Sequence, residues 1–364
     1  MTDLFAPLTF RHGPTSKNRF MLAPLTNQQS HDDGTLSDHE YQWLTARARG
    51  DFGVVSTCAA HVQASGQGFP GQLGIYDERH VAGLTRLATG IKEHGALALV
   101  QLHHAGLRAP TELTRTTPVA PFDDPKSGAR ALTTDEVEQV VEAFVVAAHR
   151  AKRAGFDGVE LHGAHNYLLC EFIEPLRNTR ADRYGGSFEN RCRVFFEIID
   201  GVRARCGDDF HLAIRLSPER FAMSTSDVLE LYRRLVDTGA VDLIDLSLWD
   251  VFKEASDENF LGRKLLELFT AIDRGDTRLA AAGKIYGAAD ARRALDAGLD
   301  LAVLGRAAIT NHDFPRQTRD DPDFSMRALP VTEETLTLEG VGPDFVTYLR
   351  GWPDFVAEVG GVGA

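Results

Sequence analysis

Cysteine is scarce in this chain: four residues, at 58, 170, 192 and 206, with neither C-x-x-C spacing nor the density of a disulfide scaffold. They read as reduced, mostly structural thiols, and a cysteine-ligated metal or redox centre is not expected. Long hydrophobic runs are missing as well, since no uncharged apolar stretch approaches the roughly 18 residues of a membrane span. The opening "MTDLFAPLTFRHGP" has no basic region followed by an apolar one, so a cytoplasmic protein is expected. Positive charge is also short: 39 Lys and Arg against 52 Asp and Glu leave a net charge of -13. No basic cluster could follow a phosphate backbone. Nucleic acid and anionic membranes are therefore disfavoured as partners, and a small molecule is expected.

What is present is the composition of a folded globular chain, with 43% hydrophobic and 25% charged residues. No linker, low-complexity tract or second composition zone interrupts residues 1–364, which are expected to form one domain. Eight short apolar runs recur, each followed by a turn and a helical pattern: "FMLAP" at 20, "GVVST" at 53, "LALVQ" at 97, "GVELH" at 158, "HLAIR" at 211, "LIDLS" at 243, "LAAAG" at 279 and "LAVLG" at 301. Their brevity and flanking Gly, Asp and His favour strands covered on both faces over buried helix segments. Between the third and fourth runs, Thr133 and Glu136 have capping-box spacing. Val137, Val140, Val141, Phe144, Val145 and Ala148 then make one apolar stripe, which predicts a helix over 133–154. Ser187 reads as the cap of another helix, with its stripe at Val194, Phe195, Ile198, Ile199 and Val202.

Eight strand-helix alternations predict a single (β/α)8 TIM barrel rather than an open doubly wound sheet. The proline-rich stretch 105–132 (Pro110, Pro118, Pro121, Pro125) has no periodicity and is expected to be a long loop after strand three, over the C-terminal face. A helical extension with one amphipathic segment is expected over 312–364.

In such a barrel the chemistry sits at the C-terminal strand ends and in the loops that follow. Those ends carry "APLT" after strand one, Gln101, His162, Arg215, Gly283 with Lys284, and Gly305 with Arg306. Loops after strands seven and eight often hold phosphate in barrels. There the two glycines would let backbone N–H groups approach an anion, and Arg306 could fork onto two oxygens. A lone "GR" is more often a strand end with a solvated cation, but two such pairs in adjacent loops favour a phosphorylated ligand. Gln101 could read the donor and acceptor edge of a flavin or nucleobase, and Arg215 could face a ring that gains negative charge. A capping amide and an ordinary ion pair are the plain alternatives for these two. His162 and His165, three apart, admit two readings: a zinc pair, which lacks a third ligand or an H-E-x-x-H, or two imidazoles gripping one substrate oxygen while Tyr167 supplies a proton.

The stretches "KNRFMLAPLT", "QLHHAG", "VELHGAHNYLLCEFIEPLRNTRADRYGGSFENRCRVFFEII" and "LGR" resemble the Old Yellow Enzyme family of FMN-dependent ene-reductases, across nearly the whole chain. The resemblance implies tightly bound FMN, with NAD(P)H as reductant and activated alkenes as substrates. It maps the flavin contacts to Pro24, Leu25, Thr26, Ala59, Gln101, His162 and Arg215, and the phosphate loops to Gly283, Lys284, Gly305 and Arg306. It also implies His162 and His165 as the pair that holds the substrate oxygen, Tyr167 as the proton donor, and no metal. Hydride would pass from NAD(P)H to flavin N5 and on to the alkene, with ping-pong kinetics. One bacterial branch of the family has Cys and Tyr where this chain has Thr26 and Gln28, so redox tuning by a thiol is not expected. Some dimeric members insert an arginine from an "RGW" tail into the neighbouring site. Here "LRGW" offers Arg350, with further residues after Trp352, and a homodimer and a monomer both stay open. A metal-dependent barrel hydrolase, a non-catalytic flavin-binding protein and an FMN dehydrogenase running in the oxidative direction are the alternatives.

Overall fold

The computed structural model describes residues 3–358. Eight parallel strands close into a barrel: β1 (Phe20–Leu22), β2 (Val54–His61), β3 (Leu97–His103), β4 (Gly158–Gly163), β5 (His211–Leu216), β6 (Leu243–Ser247), β7 (Arg278–Ala282) and β8 (Leu301–Leu304). Each strand pairs with its successor, and β8 closes on β1 with Phe20 opposite Ala302. All eight apolar runs thus become barrel strands, as the alternation predicted.

The strands are apolar on both faces because both are covered. One face packs against the surrounding helices, while Met21, Val54, Leu97, Leu99, Ala213, Leu243, Leu301 and Val303 form a separate core in which Leu8 is buried and Phe10 partly so. Side chains alternate along a strand, so whatever follows an interior residue two positions on also faces inward. Leu97 and Leu99 lead to Gln101 and His103, Ala213 leads to Arg215, and Leu243 leads to Asp245 and Ser247. An apolar floor therefore grades into a polar mouth at the C-terminal ends. The ladder between β2 and β3 shifts register between Ser56 and Ala59, which sets Ala59 beside Gln101.

The helix Thr134–Arg153 begins at the predicted box: Glu136 N–H donates to Thr133 Oγ1 at 3.2 Å, and Thr133 N–H donates to Glu136 Oε2 at 2.8 Å. Ser187 caps Phe188–Cys206. The long loop after strand three is present at 105–132, and within it a helical turn at Thr111–Thr114 and a two-stranded ladder of Val119–Ala120 with Arg130–Ala131 supply order that side-chain periodicity does not announce. The helical extension is present too: the expected amphipathic segment contains the helix Pro343–Arg350, and two further short helices, Phe314–Asp320 and Glu333–Leu338, precede it. Those two are too short for a full apolar stripe to stand out in sequence. Phe345 of the helix Pro343–Arg350 packs edge-on against Trp43, with ring centroids 5.0 Å apart. Among the described residues no helix is long and apolar enough to cross a membrane.

Candidate active site

Two buried polar pairs, one a hydrogen bond and one an ion pair, form the throat of the mouth. Gln101 Nε2 donates to Glu160 Oε1 at 2.7 Å, and the Arg215 guanidinium lies 3.1 Å from Asp245, with a further bond from Arg215 Nη1 to the Pro24 carbonyl at 3.4 Å. Burial pushes both carboxyl groups up, with Asp245 adding to the rise at Glu160 and Arg215 opposing it in both. Glu160 was not singled out from sequence, although inward alternation from His162 points to it. Its free oxygen, Oε2, is buried without a partner.

Above the throat three imidazoles and a phenol meet edge to face. His103 lies 5.5 Å from His162 and 4.3 Å from Tyr167 between ring centroids, and His162 lies 5.1 Å from Tyr167. The turn that delivers them is tight: His165 and Asn166 both hold left-handed backbone, φ 63° and 58°, and Arg108 Nη1 donates to the His165 carbonyl at 2.8 Å. The Arg108 guanidinium also sits 4.7 Å from the Tyr167 ring centre. Burial raises the Tyr167 phenol, with Arg108 opposing it. Burial likewise holds His162 well below its ordinary value and brings His165 down to about 3, so both rings are neutral near pH 7 and carry one N–H each.

The two histidines of the predicted pair touch each other. His165 Nδ1 lies 3.2 Å from His162 Nε2, and His165 Nε2 lies 2.7 Å from Ser247 Oγ. Both nitrogens of His165 are thus engaged, whereas His162 Nδ1 is buried and free. The chain has no zinc geometry here: among the described residues no group of three or more His, Cys, Asp or Glu could hold a metal. All four cysteines are buried and unpaired with one another, as expected.

Beside this cluster opens a cavity of about 470 Å³, within the range of small-molecule sites. Six of the sequence-predicted residues line it: Leu25, Arg215, Gly283, Lys284, Gly305 and Arg306. Pro24, Thr26, Ala59, Gln101 and the His-Tyr cluster lie outside that lining. Ser247 borders the cavity and, through its bond to His165, joins the two groups. The walls fit a flavin phosphate. Three cations reach the cavity; Arg215 and Lys284 are paired with Asp245 and Asp250, whereas Arg306 donates to the Tyr286 hydroxyl at 3.0 Å and, among the described residues, forms no ion pair with a carboxylate. A Cβ on Gly305 would find nothing closer than Leu25 Cδ2 at 3.7 Å, so it would project into open space that glycine leaves to a ligand.

Gly283 has a different reason to be glycine. Its φ is 152°, and a Cβ would fall 2.6 Å from Asp250 N and 2.7 Å from the Trp249 carbonyl carbon. It makes room for the loop after β6, not for an anion alone. That loop turns on Trp249, whose φ is 65°; the residue is 62% exposed and borders the cavity, with the Arg220 guanidinium 4.9 Å from its ring centre. Trp352 and Pro353 reach the same cavity from the C-terminal extension, and Arg306 lies 5.7 Å from the Trp352 ring centre. Sequence reasoning missed these, because chain distance hides them. Arg350 lies elsewhere, on an outer groove with His39, ion-paired to Glu333 of its own chain.

The profile of the NADH:flavin oxidoreductase / NADH oxidase family matches residues 3–321. The chain is 37% identical over 327 residues to the "Probable NADH-dependent flavin oxidoreductase YqiG" of Bacillus subtilis (strain 168), covering 87% of this chain and 88% of that one. It is 33% identical over 332 residues to an NADPH dehydrogenase of Bacillus cytotoxicus, covering 90% and 94%. Among solved structures it is similar to the old yellow enzyme homologue from Zymomonas mobilis, at 27% identity with a TM-score of 0.80, covering 93% of this chain and 98% of that one. It also matches 2-naphthoyl-CoA reductase, at 25% identity and a TM-score of 0.80, covering 87% of this chain but 52% of that longer one. With the profile match running through all eight strands, the chain belongs to the NADH:flavin oxidoreductase / NADH oxidase family, the FMN-dependent and NAD(P)H-linked oxidoreductases of Old Yellow Enzyme type.

Proposed function

We propose that this NAD(P)H-dependent flavin oxidoreductase reduces the C=C bond of α,β-unsaturated carbonyl or nitro compounds. The single observation that carries this reading is the buried cluster of neutral imidazoles around a protonated phenol, beside a cavity suited to FMN. FMN, when bound, supplies the hydride chemistry that links NAD(P)H to the alkene. The chain's own residues hold the substrate and move the proton. His162 presents Nδ1–H to the carbonyl or nitro oxygen, and this fixes the rest of the pair. His162 Nε2 then accepts from His165 Nδ1–H, and His165 Nε2 accepts from the Ser247 hydroxyl. Pulling electron density onto the oxygen makes the β-carbon electrophilic. Tyr167 delivers its phenolic proton to the α-carbon, and burial keeps that proton in place until it is needed. Arg215 places a fixed cation at the inner end of the cavity, and Arg306 with Lys284 holds the phosphate. With its thiols free and buried, the chain suits the reducing cytoplasm.

The direct test is NAD(P)H consumption by purified protein with an enone, a maleimide and a nitroalkene, each compared with no acceptor. Acceptor-dependent turnover with saturated product supports the reading; consumption unaffected by every alkene refutes it.

Two further outcomes follow from the geometry. Gly305→Leu fills the open side of the cavity, so protein of unchanged circular dichroism should carry far less FMN after purification. Full flavin content would show that the phosphate end lies elsewhere. The pH response has a defined sign. His165, lowered to about 3, and His162, held well below its ordinary value by burial, stay neutral, and a raised phenol stays protonated. The alkene half-reaction should therefore be flat from about pH 5 to about pH 9, where free imidazole would have titrated. A break near pH 6.5, roughly the free-histidine value, would mean that the pair is solvated when substrate binds.

A further inference from the structure

The throat holds one more carboxyl group than it has cations. Gln101, Glu160, Arg215 and Asp245 come from four successive strands, with Gln101 opposite Glu160 and Arg215 opposite Asp245 in the ladders. All four are buried, and both carboxyl groups completely so. Arg215 is ion-paired to Asp245 at 3.1 Å. Among the described residues Glu160 has no ion-pair partner: Gln101 Nε2 donates to its Oε1 at 2.7 Å, and its Oε2 is buried without a bond. The other four strands add no charge inside the barrel, where Met21, Val54, Ala280 and Val303 are apolar. Nearer the mouth, burial keeps His103 and His162 neutral near pH 7.

A carboxylate buried with one amide N–H as its partner is costly, whereas the neutral acid is not. Burial, with the charge of Asp245 added, therefore pushes Glu160 up, and only the field of Arg215 and the Gln101 hydrogen bond oppose the rise. The charge state of Glu160 thus depends on what lies against Arg215, and Arg215 lines the cavity. A ring that accepts hydride there gains a negative charge. That charge repels the carboxylate and engages the cation that favours its ionised form, so both effects raise the affinity of Glu160 for a proton.

We propose that Glu160 is the charge-compensating group of this barrel: ionised beside oxidised flavin, it takes one proton from solvent when NAD(P)H delivers hydride, and returns it when the alkene is reduced. The inference rests on the reading that flavin lies against Gln101 and Arg215, and extends it. Each half-reaction balances. Hydride converts FMN to the anion FMNH⁻ and NADPH to NADP⁺ with no proton exchanged, while Glu160 carboxylate and a solvent proton become the acid. The hydride then passes to the β-carbon and the Tyr167 proton to the α-carbon, and Tyr167 regains a proton from solvent as Glu160 gives one up. The proton consumed in each turnover therefore enters when the flavin is reduced. In the reduced protein Glu160 stays protonated, so the alkene meets one charge state of the throat.

The test is proton uptake by FMN-loaded protein, bleached anaerobically with one equivalent of NADPH in weakly buffered solution containing an indicator dye, from about pH 7 to about pH 10. Uptake in the wild type should climb toward one proton per flavin as the oxidised form loses its proton and the reduced form keeps it. A carboxylic C=O band should appear with it in the reduced-minus-oxidised infrared spectrum. Glu160→Gln keeps an acceptor for Gln101 Nε2 but cannot titrate, so both signals should vanish, and about one proton should instead be taken up in the alkene half-reaction. Wild-type bleaching without proton uptake anywhere in this range would overturn the proposal, whether or not the variant folds. Uptake that persists in Glu160→Gln would overturn it as well, by assigning the proton to another group. Undiminished FMN affinity in Gln101→Leu would instead remove the reading beneath it, that the flavin lies against Gln101.

Discussion

Tyr167→Phe should slow reduction of an enone by about 10²–10⁴-fold, the range of a general acid, while the bleaching of bound flavin by NAD(P)H changes little. The substitution is clean because the ring is held from three sides, by His103, His162 and the Arg108 guanidinium, all of which a phenyl group still meets. Only the hydroxyl is lost. Its proton has no role when NAD(P)H is the partner, and among the described residues no other phenol touches the imidazole cluster of His103, His162 and His165. Stopped-flow measurement of the two half-reactions separates them. Equal losses in both would mean that Tyr167 supports the cavity's shape and not the proton transfer.

His162→Ala is the second large effect, with kcat/KM for alkenes expected to fall by about 10²–10³-fold, as when an oxyanion donor is removed. The ring supplies the free Nδ1–H, and its Nε2 is the partner of His165 Nδ1. Removal therefore takes the donor and loosens the residue behind it. Phenol affinity and its long-wavelength band should be lost together, while flavin content, expected to depend on Gly305 and Arg306 of the cavity lining, stays near normal. Retained phenol binding would refute the role given to His162. A protein that loses flavin as well would show that the imidazole cluster also supports the cofactor wall.

The contrast between what the chain announces and what it conceals is physical. Barrel strands were readable because a strand covered on both faces must be a short apolar run, and eight such runs leave few architectures. Gln101, His162, Arg215 and Arg306 were readable because polar groups at the ends of buried strands have few structural reasons to be there. Glu160 was readable too, two residues before His162, but its strand position looked like part of the run. Trp249 and Trp352 come from a loop and a tail whose paths no local pattern specifies, while Ser247 ends β6 and shows its part only once its bond to His165 is seen. Gly283 carries a second reason that sequence does not show: besides lining the cavity, it is required as glycine by the backbone of Trp249 and Asp250.

The most direct measurement is a single turnover: flavin in the wild-type protein is bleached anaerobically with one equivalent of NADPH, then mixed with excess N-substituted maleimide. The account predicts return of the flavin absorbance at a rate that saturates with maleimide, with one equivalent of succinimide formed. Flavin that stays bleached until oxygen is admitted, with no succinimide, would contradict it.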